Sequence, residues 1–277
     1  MKSKFKHLIG TFLLLSLMLF SACSSDATEN IAYEEVYGIE ELSFGAYGTN
    51  AETSSSIARN NETLTRTEQN KVTYILPMPK TDGEMSVEQA LANRRSQRNF
   101  QAQAITTEQL SQILWAAYGI TSPNAQAPRG GLRTTPSAGA LFPLEIYVVI
   151  GNVEGIEAGV YRYISEEHKM VRIIDGDIRA SLGEAALRQR SVVNAPATII
   201  YTAVFELMTA RYGERGIMYT YIEVGHSAQN IYLQAEALGL GTVAVGAFTE
   251  SRVAEILNLA EDKIPLYMMP IGYFYRN

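Results

Sequence analysis

Two short apolar runs, Gly159–Ile164 and Lys169–Ile174, are joined by nothing more than Ser165, Glu166, Glu167 and His168. That spacing constrains the fold more than any other feature, because it reads as a β-hairpin. Helices surround it. Ser86-Val87-Glu88-Gln89 caps a helix reaching about Asn93, and Thr106-Thr107-Glu108-Gln109 has the capping-box spacing that opens a second. In the second, Leu110, Ile113, Leu114 and Ala117 form one apolar stripe, and Gly119 ends it. Leu144–Ile150 is a short apolar run with β-branched residues, hence a buried strand. Asp177–Leu187 reads as a helix, and Ala197–Phe205 as a strand after Pro196. The longest helix runs from about Gly216 to Leu238. Thr242–Phe248 reads as a strand, Glu250–Leu257 as a helix and Tyr267–Phe274 as a last strand. Hairpins mixed with helices indicate an α+β domain rather than a doubly wound parallel one.

The amino terminus has a different character. Met1-Lys2-Ser3-Lys4-Phe5-Lys6 is basic, and Leu8–Phe20 is an apolar run too short to span a bilayer. It ends in Leu19-Phe20-Ser21-Ala22-Cys23, with small residues directly before the only cysteine of the chain. This resembles the lipobox of bacterial lipoproteins, which implies removal of residues 1–22 and a lipid on Cys23. The alternative is ordinary secretion with an incidental cysteine. Three lysines and no acids leave with the signal, so 20 basic and 29 acidic residues remain, a net charge of −9. An acidic protein without a basic run is a poor partner for nucleic acid. With no cysteine beyond the anchor, disulfides within the chain are impossible, and stability rests on core burial or oligomerisation. Residues 23–72 hold the lipidated cysteine and a polar arm or tether. Within it, Ile31–Gly48 carries aromatic residues among acids, and Ala51–Asn70 is almost wholly polar. Residues 73–277 form the globular domain.

Three segments of that domain carry candidate chemistry. Arg94-Arg95-Ser96-Gln97-Arg98 places three guanidiniums and a hydroxyl within five residues, a set that can surround a phosphate. The same run also reads as a solvated helix end favoured by the macrodipole. Thr134–Pro143 contains Pro136-Ser137-Ala138-Gly139-Ala140, small residues that let backbone approach a ligand. It reads equally as a tight connection in a crowded place. Gly239-Leu240-Gly241-Thr242-Val243-Ala244 fits the dinucleotide fingerprint only superficially, because a helix precedes it and a strand follows. Of the three histidines, His7 leaves with the signal, His168 sits in the hairpin turn and His226 is expected to be packed and hydrogen-bonded. A zinc site is not expected, with no thiolate free of the anchor and two histidines in the mature chain.

In order and spacing, five stretches resemble the nitroreductase superfamily, and within it the SagB/ThcOx type of FMN-dependent oxidase. They are Arg94–Phe100, Pro136–Glu145, Arg211–Gly216, Gly225–Ala235 and Gly239–Phe248, and the resemblance covers roughly Ser86 to the carboxyl end. It implies a mixed, largely antiparallel sheet flanked by helices, and a homodimer with FMN at the subunit interface. By position, Arg94, Arg95, Ser96 and Arg98 would hold the flavin phosphate and ribityl chain. Pro136, Ser137, Ala138 and Ala140 would come from the partner subunit against the ring. Gly246 and Ala247 would present backbone to the flavin N5 edge, and Arg276 would be the basic residue that meets the phosphate near the carboxyl end.

Chemically, the resemblance implies hydride transfer between a small organic or peptide substrate and an acceptor through flavin N5. Azoline-oxidising members use a Lys-Tyr pair as base and proton relay, where this chain has Arg211-Tyr212. Arginine keeps its proton and is a poor base, which leaves Tyr212 as the catalytic candidate. The alternative is a surface lipoprotein that binds flavin or another ligand without turnover. An anchor at Cys23 would also separate the domain from cytoplasmic NAD(P)H. That favours direct oxidation of an organic substrate, or reduction by a membrane or periplasmic donor.

Overall fold

The computed structural model describes residues 72–124 and 128–275. In chain order its elements begin with β1 (Thr73–Ile75), α1 (Val87–Asn93), α2 (Thr107–Tyr118), β2 (Ile120–Pro123), β3 (Gly131–Arg133), β4 (Leu144–Ile150), β5 (Gly159–Ile164) and β6 (Lys169–Asp175). There follow α3 (Arg179–Ala185), α4 (Arg190–Asn194), β7 (Ala197–Ala203), α5 (Glu206–Tyr212), α6 (Arg215–Ala237), β8 (Gly241–Thr242), α7 (Glu250–Ile256) and β9 (Ile264–Gly272). Both capping boxes form, Ser86 with Gln89 and Thr106 with Gln109, so the first two helices start where the sequence places them.

Seven strands make one sheet in the order β1-β6-β5-β4-β7-β9-β8, each neighbouring pair antiparallel. The hairpin of β5 and β6 lies inside it, while β2 and β3 pair separately as a ribbon. Alternation along each strand sends residues to two cores. Ile146 and Val148 on β4, Ile199 and Tyr201 on β7 and Met269 on β9 meet Ile113 and Leu114 of α2 and Val224 and Ile231 of α6. Tyr147, Val149, Ile200 and Met268 face the other way, against Leu182, Val192 and Val253 of α3, α4 and α7. Helices therefore cover both faces, and this is why the central strands read as unbroken apolar runs. The fold is α+β with a large antiparallel sheet, as expected.

Several boundaries differ from expectation. The helix expected over Asp177–Leu187 is shorter, because Asp177 binds the Arg179 N–H and guanidinium, and Leu187 and Arg188 have φ of 56° and 60°. The last strand runs Ile264–Gly272 rather than Tyr267–Phe274, since β7 pairs as far as Ile264. Thr242–Phe248 is not a continuous strand. Only Gly241 and Thr242 pair with β9, and a single bridge, Val245 to Met268, follows. The Ala244 N–H between them goes to the Tyr232 hydroxyl at 2.8 Å instead of a strand neighbour. Among the described residues no helix is long and apolar enough to cross a membrane.

Candidate functional site

The arginine segment leaves α1 as extended chain and is held on both sides. Ser96 forms a parallel bridge with Thr242, and the Gln97 N–H donates to Thr242 O at 2.8 Å. Gly241 makes this approach possible, since a Cβ there would lie 2.7 Å from the Gln97 side chain. Further on, Phe100 bridges Phe274, and the Tyr275 N–H donates to Asn99 O at 3.1 Å. Tyr232 of α6 organises the middle. Its hydroxyl accepts the Ala244 N–H and lies 3.0 Å from Ser96 Oγ, while Arg94 sits over its ring at 5.0 Å.

The four phosphate candidates are not equivalent. Arg95 turns back onto the carbonyls of Ala92 and Arg94, as the helix-end reading expects. Arg98 is exposed and borders a groove of about 310 Å³ with Asn99, Gln189, Arg190, Ser191 and Asn194. Gln189 donates to Ala247 O at 2.8 Å, which ties the groove to the exposed peptide groups of Gly246 and Ala247. Arg98 thus lies at the groove beside the exposed Gly246–Ala247 backbone, while Arg94 and Ser96 gather at Tyr232, and guanidinium and hydroxyl donors of this kind fit a phosphate. Arg276 and Cys23 lie outside the described residues.

The second candidate segment packs elsewhere. Thr135 Oγ1 donates to Ala117 O at 2.8 Å, Asn230 Nδ2 donates to Thr134 O at 3.1 Å, and the Phe142 N–H donates to Ser137 Oγ at 2.9 Å. Gly139, Ala140 and Phe142 have φ of 61°, 53° and 49°. For the two residues with a Cβ this left-handed conformation costs about 1–2 kcal/mol each, and surrounding contacts must hold it. A Cβ on Gly139 would lie 2.5 Å from the Tyr212 hydroxyl and 3.1 Å from Arg211 Nη1. Tyr212 therefore meets the apex of the loop, braced by Tyr219 at 5.3 Å. The apex sits beside the start of α6, whereas Arg94 and Ser96 meet Tyr232, 17 residues further along that helix. That is roughly 25 Å along its axis. Only the apex stands apart, because Asn230, two residues from Tyr232, bonds Thr134 and Thr135 at the base of the loop.

Glu223, which the sequence reading did not single out as a site residue, lies beneath this loop with 1 % exposure. The Tyr118 hydroxyl donates to its Oε1 at 2.5 Å and accepts the Leu144 N–H at 3.3 Å. Burial pushes the Glu223 carboxyl up to about 7, opposed by the Ser137 and Tyr118 hydroxyls and by the charges of Arg133 and Arg129. Burial likewise pushes the Tyr118 phenol well above its ordinary value, with Glu223 adding to the effect. The available signal was an acid on the buried face of an amphipathic helix, in phase with Thr220, Val224 and Ser227. His226 is exposed rather than packed, because it falls on the opposite side of that helix. His168 is the packed histidine, within 2.8 Å of Ser111 Oγ and of the Tyr163 hydroxyl, and burial lowers its pKa. Among the described residues no cluster of His, Cys, Asp and Glu could hold a metal ion.

A nitroreductase-family protein of Methanocaldococcus jannaschii is 47% identical over 189 residues, covering 68% of this chain and 91% of the relative. The trifolitoxin-processing protein TfxB of Rhizobium leguminosarum bv. trifolii is 33% identical over 52% of this chain, which spans only 40% of TfxB. A crystal structure of a nitroreductase-type protein from Ralstonia eutropha superposes with a TM-score of 0.62 at 28% identity, covering 74% of this chain and 90% of that one. The nitroreductase family matches residues 91–273, more than half of the chain, which takes in the arginine segment, the loop and α6. On sequence and fold together, this chain belongs to the nitroreductase family, whose fold is that of flavin-type oxidoreductases.

Proposed function

We propose that the protein is an FMN-dependent oxidoreductase of the SagB type, working as a homodimer. The observation that carries this reading is the pinned Arg94–Arg98 segment, whose Arg98 borders a groove tied through Gln189 to the exposed Gly246–Ala247 backbone. Arg94, Ser96 and Arg98 would hold the phosphate, and the peptide groups of Gly246 and Ala247 would meet the ring edge. Bound FMN would supply the hydride-transferring centre that the side chains lack. By the family resemblance, Pro136, Ser137, Ala138 and Ala140 would serve the partner's flavin. A second copy is supported by α6 itself. Ile217, Met218, Tyr221 and Ile222 form an exposed apolar stripe opposite its buried face, and family members are generally dimeric. Tyr212 would handle the proton at the loop apex, while the permanently charged Arg211 beside it would orient substrate.

The substrate class is a small organic molecule or peptide, a reading supported by the likeness to a trifolitoxin-processing protein. With residues 1–22 cleaved and Cys23 lipidated, the domain would work on the outer side of a membrane. Protein expressed from about Ser24 should then be yellow, with a flavin spectrum bleached by a chemical reductant. Colourless protein that ignores added FMN would overturn the reading. Flavin that binds but supports no steady-state oxidation of any organic donor would favour the non-catalytic alternative, for which Arg211 in place of a base is the motivating residue.

A further inference from the structure

The carboxyl of Glu223 has no role in the chemistry proposed above, yet it sits under a loop with three left-handed residues, Gly139, Ala140 and Phe142. Its surroundings come from four elements. Tyr118 of α2 donates to it, Ser137 approaches from the loop, Arg133 of β3 contributes its charge and Arg129 contributes a second. Arg133 is buried and committed in several directions. It binds Glu166 at 2.8 Å and the carbonyls of Tyr118 and Arg129, and it stacks over the Tyr118 and Phe142 rings at 4.6 and 5.1 Å. Tyr118, Ser137 and Arg133 are therefore each tied to the loop or its two ends as well as to Glu223. Tyr118 holds Leu144 after the loop and packs edge-on against Phe142, and Ser137 closes the loop through the Phe142 N–H.

We propose that Glu223 is a positioning residue whose proton sets the geometry of the Pro136–Phe142 loop. With the proton on, the carboxyl makes a neutral hydrogen-bonded cluster with Ser137 and Tyr118. With the proton off, the buried negative charge draws the donors of Ser137, Tyr118 and Arg133 toward itself. Ser137 Oγ already accepts the Phe142 N–H, so a hydroxyl drawn toward the carboxylate pulls on that loop contact, and the left-handed turn at Ala140 and Phe142 is where the strain falls. The consequence for a bound flavin rests on the reading of this loop as flavin-facing; the coupling of Glu223 to the loop does not.

Trp115 is the only tryptophan of the chain, and its carbonyl accepts from Thr134 Oγ1 at 3.1 Å just before the loop. Its fluorescence is followed from pH 5 to 9 in the mature protein, stripped of any flavin and again after FMN addition, with visible circular dichroism recorded in the second case. The expected result is one titration near neutral pH in the tryptophan signal, absent in Glu223→Gln. Tyr118→Phe removes a donor to the ionised carboxylate, so the midpoint should rise by about one pH unit. A tryptophan signal flat from pH 5 to 9, or a titration unchanged in Glu223→Gln, overturns the proposal. If Glu223→Gln fails to fold, an unmoved midpoint in Tyr118→Phe overturns it equally. A tryptophan titration without any flavin signal supports the coupling and counts against the flavin reading alone.

Discussion

At the scale of single residues, neighbours with the same charge have different work. Arg94 stacks on Tyr232, Arg95 satisfies the end of its own helix, and Arg98 faces the groove toward Gln189. Replacing Arg94 and Arg98 together by alanine removes two charge-assisted contacts, each worth about 1.5 kcal/mol or more. FMN binding is expected to weaken by roughly a hundredfold, with an unchanged far-ultraviolet circular dichroism spectrum. Flavin content of the purified double variant checks this. Glu223 gives a pH prediction. Its carboxyl keeps a proton up to about 7 in the fold and releases it near 4.5 when exposed. The folded state therefore binds more protons across that window, so stability present below about 4.5 is lost as pH rises to about 7. Glu223→Gln should flatten the slope, which amounts to at most about 3 kcal/mol, in urea unfolding compared at pH 4.5 and 8.

At the scale of elements, helix starts were legible because capping is local chemistry. Thr106 and Gln109 exchange hydrogen bonds at 3.2 and 3.0 Å and fix the start of α2, a helix whose Leu110, Ile113 and Leu114 are wholly buried. Thr106→Ala should cost about 1 kcal/mol and lower the melting temperature by about 2–4 °C, read by calorimetry. The end of the Thr242 strand was not legible. The residue that interrupts it, Tyr232, lies on another element and takes the Ala244 N–H from the ladder. Helix α6 shows the same division. Its apolar content was plain, but only the packed sheet shows that Val224 and Ile231 are spent on the core while Met218 and Ile222 remain outside. Ile222→Asp should convert the proposed dimer to a monomer in sedimentation velocity and lose the proposed flavin with it.

At the scale of the whole molecule, the domain and its proposed anchor are separable. Cys23→Ser should move the protein from the membrane fraction to the soluble one while leaving its flavin spectrum intact. A soluble wild-type protein would remove the anchor and, with it, the reason to discount NAD(P)H as donor.

The sequence by itself determined the α+β class, the capped helices and the order of the family's segments. Each depends on residues within a few positions of one another, through hairpin spacing, capping boxes and apolar periodicity. It also marked Arg94, Arg95, Ser96 and Arg98 as a phosphate set and Tyr212 as the catalytic candidate, through resemblance. Tertiary structure alone decided which of these meet. It turned Arg95 back onto its helix, placed Tyr212 at Gly139, gathered Arg94 and Ser96 at Tyr232 of α6 and buried Glu223 beneath the loop. Those outcomes depend on a helix axis and a sheet face shared by residues far apart in the chain. Burial, which decides whether a carboxyl carries charge near neutral pH, is a property of that shared packing rather than of any segment.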